Sequence, residues 1–399
     1  MKRKIIIRIL AIALIVLIVG YLQLSDKGLF RQKSTRNIVN DSNVNQALDT
    51  KESTSTGKCV SDTNINYAYY KETDKLWTKN NKFGLYIYAE EPDMFEIAQK
   101  LVNSKGGEWG YVLIPYNVKD LDYDKWLRVF EQLRNKKLIP IIQLWDVDTS
   151  DYKKQTQKAA DFLNGFLWPI KYRYISVYNE TNDSKFWYGD ADPEEYAKIL
   201  DYTIKTFKKE NQDFFMINGA FNITVSSDDL RMDAFEYIKK MNEKIPGIFE
   251  KLDGWASHPY PQPNFSGSPD TIGRWGIRAY EEELKFLKDK LGVKKELPVF
   301  ITETGWAHAE GANYNPSFLP VKTVSENFKT AYKDYWLKDD RVRAVTPFTI
   351  RYDPPFDHFS WVNQDNFPYL QYEVIKSLEK VKGEPPYLLE EVFNEEGCN

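Results

Sequence analysis

From residue 83 onward the chain repeats one pattern eight times: a short apolar run, then a longer amphipathic stretch. The runs are FGLYIYAE from Phe83, YVLIPY from Tyr111, LIPIIQLWD from Leu138 and YISVYNE from Tyr174. They continue with FFMINGAFN from Phe214, LDGWASHPY from Leu252, LPVFITETGW from Leu297 and VRAVTPFTI from Val342. Strands buried on both faces of a parallel sheet read as continuous apolar runs, not alternating ones. Between the runs lie PDMFEIAQKLV, DKWLRVFEQLRNK, PEEYAKILDYTIKTFKK and AYEEELKFLKDKLG, several opening on Asp or Pro and closing on Lys or Gly, as helices do. A last helix is expected from Tyr369 to Val381. Eight strands, each followed by a helix at spacings of roughly 27 to 45 residues, predict an α/β fold of the (β/α)8 TIM-barrel type. A doubly wound open sheet would carry a Gly-rich turn after its first strand, where this chain has AEEPDM.

The barrel pattern does not start at the N-terminus. Lys2, Arg3 and Lys4 precede a run that stays apolar to Leu24 with Arg8 as its only charge, the pattern of an export signal. No small-x-small cleavage site follows, so residues 1–24 read as an uncleaved signal anchor in preference to a cleaved peptide. Either way the positive-inside rule places the remainder outside the cytoplasm, anchored to the membrane or secreted. Residues 25–66 are rich in Ser, Thr, Asn, Asp and Lys, a composition that buries too little to order itself and reads as a flexible linker. Residues 67–399 then form the expected catalytic domain. Cys59 and Cys398 are the only cysteines, enough for one bridge and too few for a disulfide framework.

Composition narrows the partners. A net charge of −4 leaves no basic footprint for nucleic acid. The 15% aromatic content provides either a large core or flat faces of the kind on which sugar rings stack. No HxH or HExxH pairing occurs, so no metal is expected, and nothing in the sequence calls for a cofactor.

In a (β/α)8 barrel the chemistry sits where the strands end. The fourth run ends on Asn179-Glu180, the sixth on His258-Pro259-Tyr260 and the seventh on Glu303-Thr304-Gly305-Trp306. The three histidines, His258, His308 and His358, all stand at or just past strand ends. Two carboxylates facing each other across a barrel mouth suit cleavage of a glycosidic bond: one protonates the departing oxygen while the other attacks the sugar carbon. Glu180 is accordingly expected as acid/base and Glu303 as nucleophile. His258 would hold the nucleophile ionised by donating a hydrogen bond. In an ideal strand Glu180 shares its side with Ser176 and Tyr178, and Asn179 points away, so both can serve one sugar only if the chain twists or bulges there. The long, aromatic segments 261–275 and 307–323 would wall a cleft or serve as structural covers.

YNE, SHPY and ITETGW, with the eight-unit pattern over roughly residues 83 to 381, resemble the clan A glycoside hydrolases, retaining barrel enzymes that include cellulase-like and family 39-like members. The resemblance implies Glu180 as acid/base, Glu303 as nucleophile, Asn179 as the contact to the sugar 2-hydroxyl, and His258 and Tyr260 beside the nucleophile. It also implies a Trp beneath the sugar, for which Trp361 is the first candidate and Trp306 and Trp145 are the others. Cellulase-like members carry an Arg near the end of strand two and a His near the end of strand three; here those places read IPYN and QLWD. Trp145 and Asp146 would then shape the subsite, or Arg351 would supply the cation. Two functions follow: a retaining β-glycosidase acting on a poly- or oligosaccharide, or a carbohydrate-binding surface protein that kept the barrel and lost the chemistry.

Overall fold

The computed structural model describes Tyr70, residues 80–187 and residues 190–388. The expected anchor at 1–24, the linker at 25–66 and both cysteines lie outside the described residues. Among those described, no helix is long and apolar enough to cross a membrane.

All eight expected strands form, in order: β1 Gly84–Tyr86, β2 Gly110–Asn117, β3 Leu138–Trp145, β4 Arg173–Val177, β5 Phe214–Asn218, β6 Trp255–Ser257, β7 Val299–Ile301 and β8 Val342–Val345. A helix follows each: α1 Pro92–Val102, α2 Tyr123–Asn135, α3 Tyr152–Asn164, α4 Pro193–Glu210, α5 Ala234–Lys244, α6 Tyr280–Leu291, α7 Val321–Thr330 and α8 Leu370–Lys376. The strands pair in parallel as two runs, β1 to β5 and β6 to β8. Single parallel bridges, Ile217 to Gly254 and Phe83 to Val345, join the runs and close the barrel. At the second seam Gly84 is required, since a Cβ there would stand 2.6 Å from the Thr346 methyl and 2.8 Å from the Val345 carbonyl oxygen.

Local chemistry sets the helix ends. The side chains of Asp122, Asp192 and Asp233 accept from backbone N–H groups of the first turns of α2, α4 and α5, satisfying donors that have no partner within a helix. The last helix is shorter than expected, ending at Lys376. Beyond it Lys380 folds back, and its ammonium donates at 3.0 Å to the carbonyls of Ile375 in the last turn and of Leu378 just past it, placing a cation at the helix C-terminus.

The core has two layers. Strand residues facing outward pack with the helices, while the barrel interior is filled by aromatic rings such as Tyr111, Tyr174, Phe215 and Phe300. Tyr174 lies 5.0 Å from both Phe215 and Phe300, ring centre to ring centre, so the lower barrel is a packed solid and not a channel. Truncating a ring of this kind, as in Phe300→Ala, costs about 3 to 5 kcal/mol. That filled floor leaves the C-terminal mouth as the place where polar side chains gather.

Candidate active site

The sequence predicts that β4 turns abruptly as it reaches the mouth, and the backbone shows how. Tyr178 and Glu180 both take left-handed conformations, φ 72° and φ 40°, on either side of Asn179. Such residues cost about 1 to 3 kcal/mol each and persist where surrounding contacts hold them. The Tyr178 N–H bonds back to the Ser176 carbonyl at 3.1 Å and the Glu180 N–H donates to the Ala220 carbonyl at 2.9 Å, fixing the twist. The two-residue alternation breaks as a result. Ser176 lies within the barrel, its hydroxyl donating to the Asn218 carbonyl, but Tyr178 packs outward against Trp187, not inward with Ser176 and Glu180 as the ideal strand has it.

Glu180, His258 and Glu303 meet at the mouth. The His258 Nδ1 lies 3.0 Å from Glu180 Oε1 and 3.8 Å from Glu303 Oε2. The histidine expected beside the nucleophile therefore stands between the two carboxylates, nearer Glu180. This follows from strand order, because β6, which carries it, lies between β4 and β7; those two strands are three positions apart in the ring and not diametrically opposed. Tyr260 does stand where expected: its hydroxyl donates to Glu303 Oε2 at 3.0 Å.

Both carboxylates are buried, Glu180 6% and Glu303 9% exposed. Burial pushes the Glu180 carboxyl up to about 8, the nearby Asp183 charge adding to it and Lys185 opposing it. Burial also raises Glu303, to about 7; His258 opposes that rise, Glu180 adds to it, and hydrogen bonds from Tyr260 and Gln143 hold it down. Burial pushes the His258 imidazole down, and the Glu303 charge opposes that. With Glu180 protonated, its O–H donates to Nδ1; with Glu180 ionised, the imidazole proton sits on Nδ1 and donates back.

Gln143 on β3 is a member of this site that the sequence did not reveal. Its amide donates to the Asn179 side-chain oxygen at 3.0 Å and also hydrogen-bonds Glu303, joining the β4 and β7 corners. In the sequence it is one polar residue inside an apolar run. Only its place two residues before the strand end hinted at the mouth.

The tryptophans divide. Trp306 and Trp361 are each 1% exposed and pack on Phe328 of α7 in the strand–helix layer, so neither offers a face to a sugar. The Trp306 indole donates to the Gly267 carbonyl at 2.7 Å, spending its polar edge on the loop after β6. Trp145 stays half-buried at the end of β3 and borders a small depression with Asp146, Asn179 and Phe186. The β8 aromatic nearest the barrel interior is Phe348, 5.1 Å edge-on to Tyr86 and packed against the interior cluster. Arg351 does not supply the cation: it pairs with Glu91 at the start of α1 and donates to Asn366. His308 and His358 are structural, bonding to the Ser360 and His308 carbonyls at 2.8 and 2.9 Å.

The segments after β6 and β7 cover rather than wall a free cleft. Phe265 packs on Tyr260 and Phe359, and the Ala312 N–H donates to Asp357 at 2.6 Å, so the β6, β7 and β8 loops knit into one another. Among the described residues no group of His, Cys, Asp and Glu is arranged to hold a metal.

Closed ring, filled floor and polar mouth define a (β/α)8 barrel with a two-carboxylate centre. No protein-family model matches the sequence, and neither does any curated protein. Among solved structures the chain is similar to a glucosidase from Croceicoccus marinus, at 10% identity, 75% of this chain, 67% of that one and a TM-score of 0.50. It also aligns with a GH128 (subgroup II) endo-β-1,3-glucanase from Pseudomonas viridiflava, at 13% identity, 75% and 98% coverage and a TM-score of 0.47. A β-glucuronidase from Bacteroides uniformis aligns at 11% identity and a TM-score of 0.49, over 76% of this chain and 35% of that one. At these identities the likeness is one of fold.

Proposed function

We propose that the chain is a retaining glycoside hydrolase that cleaves β-linked units of a poly- or oligosaccharide by double displacement, with Glu180 as acid/base and Glu303 as nucleophile. One observation carries this reading: a single imidazole nitrogen lies 3.0 Å from one carboxylate and 3.8 Å from the other. The facing oxygens are then no more than about 7 Å apart, a bound that admits the separation of about 5 to 5.5 Å used for retention.

The order of the two acidities suits the roles. With Glu303 raised to about 7 and Glu180 to about 8, the interval between holds Glu303 ionised and Glu180 protonated. Glu303 attacks the anomeric carbon and forms a C–O bond as the bond to the departing oxygen breaks and takes the Glu180 proton. Water then attacks the same carbon, giving its proton to the Glu180 carboxylate and releasing Glu303. Tyr260 occupies Glu303 Oε2, which orients the carboxylate and leaves its other oxygen to attack. Asn179, steadied by Gln143, reaches the neighbouring sugar hydroxyl, and Trp145 provides a flanking face. The N-terminal run to Leu24 would hold this domain outside the cytoplasm at the membrane.

Reducing-sugar release from a panel of β-linked polysaccharides and oligosaccharides, by the wild-type chain and by Glu303→Gln, tests the reading. Wild-type turnover with a loss of at least about a thousandfold in the variant is expected. A variant as active as wild type on the same substrate overturns it, and sugar binding without cleavage by the wild type returns the non-catalytic alternative.

A further inference from the structure

β4 and β8 lie four strands apart, so the loops that leave them rise from opposite rims of the mouth. They meet. Lys185, exposed in the loop after β4, has its ammonium 5.2 Å from the ring centre of Phe186 and 5.8 Å from that of Phe356 in the loop after β8. A cation over a ring face is held by the ring's quadrupole, so the pair is an attractive contact across the opening. Among the cations around the mouth Lys119, Arg231 and Arg351 are each paired with a carboxylate, while Lys125 and Arg274 combine a carboxylate with a ring, Trp126 at 5.6 Å and Phe235 at 5.1 Å, on the same side of the opening.

Both supports are fixed. On the β4 side the Lys185 N–H donates to Asp183 at 3.0 Å, and the Ser184 N–H donates to the Leu230 carbonyl at 2.9 Å, pinning this rim to the loop after β5. On the β8 side Phe356 packs on Tyr352 and Phe348, and Phe348 in turn packs on Tyr86 inside the barrel. The Asp183 N–H donates to the Glu180 carbonyl at 2.9 Å, so the turn that carries Lys185 is tied directly to Glu180. The loops after β6, β7 and β8 already close against one another, so this contact adds a wall on the remaining side between β4 and β8.

We propose that the Lys185–Phe356 contact closes one side of the catalytic site, making it a pocket that admits the end of a glycan chain, with Lys185 and Phe356 as the residues that select chain ends over chain interiors. A polymer threaded across the mouth would have to pass through the space these two side chains fill. The inference rests on the hydrolase reading above.

The test compares the wild-type chain with Lys185→Gly/Phe356→Ala on two forms of each β-linked polysaccharide: soluble oligosaccharides, and an insoluble dye-cross-linked form that releases dye only when cut within chains. The wild type is expected to release one product size from the oligosaccharides and negligible dye. In the double variant, dye release relative to oligosaccharide cleavage should rise by at least about tenfold. Lys185→Ala, which shortens the side chain and keeps the loop's main-chain bonds, guards against a folding defect and should raise that ratio in the same direction. Dye release by the wild type at a rate matching its oligosaccharide cleavage, or an unchanged ratio in both variants, overturns the inference and leaves the hydrolase reading standing. No cleavage of any substrate by any of the three proteins overturns both.

Discussion

The β4 and β7 corners of the mouth are built from the same residue type at nearly the same burial, yet they are not equivalent. At β4 the carboxylate belongs to one of two left-handed residues, Tyr178 and Glu180, and has Asp183 nearby, a negative charge that reinforces the effect of burial. At β7, Glu303 emerges from an ordinary strand end and meets a phenol and an amide whose hydrogen bonds favour its charged form. Burial alone would make two reluctant acids. Their neighbours separate them, so one is suited to giving a proton and the other to carrying charge.

That contrast is open to attack from either corner. The largest effect should come from Glu180→Gly, which removes the proton donor: turnover of an unactivated β-glycoside falls by about 100- to 10,000-fold. Added azide should restore much of it on a substrate with a good leaving group, yielding a β-glycosyl azide. Product analysis by NMR checks this, and an α-azide or no rescue would misassign the residue.

Tyr260→Phe takes one hydrogen bond from the ionised form of Glu303. Its pKa should rise, so the acidic limb of the kcat/KM profile, near 7 in the wild type, moves upward by about half a unit to one unit. The smallest expected change is at Asp183→Asn. Removing that charge lowers the Glu180 pKa, and the alkaline limb near 8 moves down by less than about one unit, with the acidic limb unmoved. If either substitution moves the other's limb instead, the roles of the two corners are reversed.

Much of this architecture was legible in the sequence, for a physical reason. A parallel strand buried on both faces has to be apolar throughout, so a carboxylate at its end stands out, as Glu180 and Glu303 do. Tyr260 was equally readable from its place after SHP. What failed to show depends on contacts between distant segments. Trp306 and Trp361 look like sugar platforms until α7 supplies Phe328 to cover them. Arg351 looks like a site cation until α1 brings up Glu91. Gln143 lies within a run whose other members are core, and its partners are 36 residues away at Asn179 and farther still at Glu303. Simple alternation puts Tyr178 inward, and the left-handed twist at the strand end overrides it. The position of His258 between the carboxylates needed the strand order, which fixes β6 between β4 and β7.

In the proposed reaction Glu303 is the ionised nucleophile of a double displacement. Incubating the full chain with activated 2-deoxy-2-fluoro β-glycosides of several sugars and mapping the adduct by peptide mass spectrometry tests it most directly. A covalent sugar on Glu303 is expected, formed fastest at a pH above about 7 where that carboxyl is charged. A sugar attached to Glu180, or no adduct from a fluoroglycoside whose parent glycoside the protein hydrolyses, would contradict it.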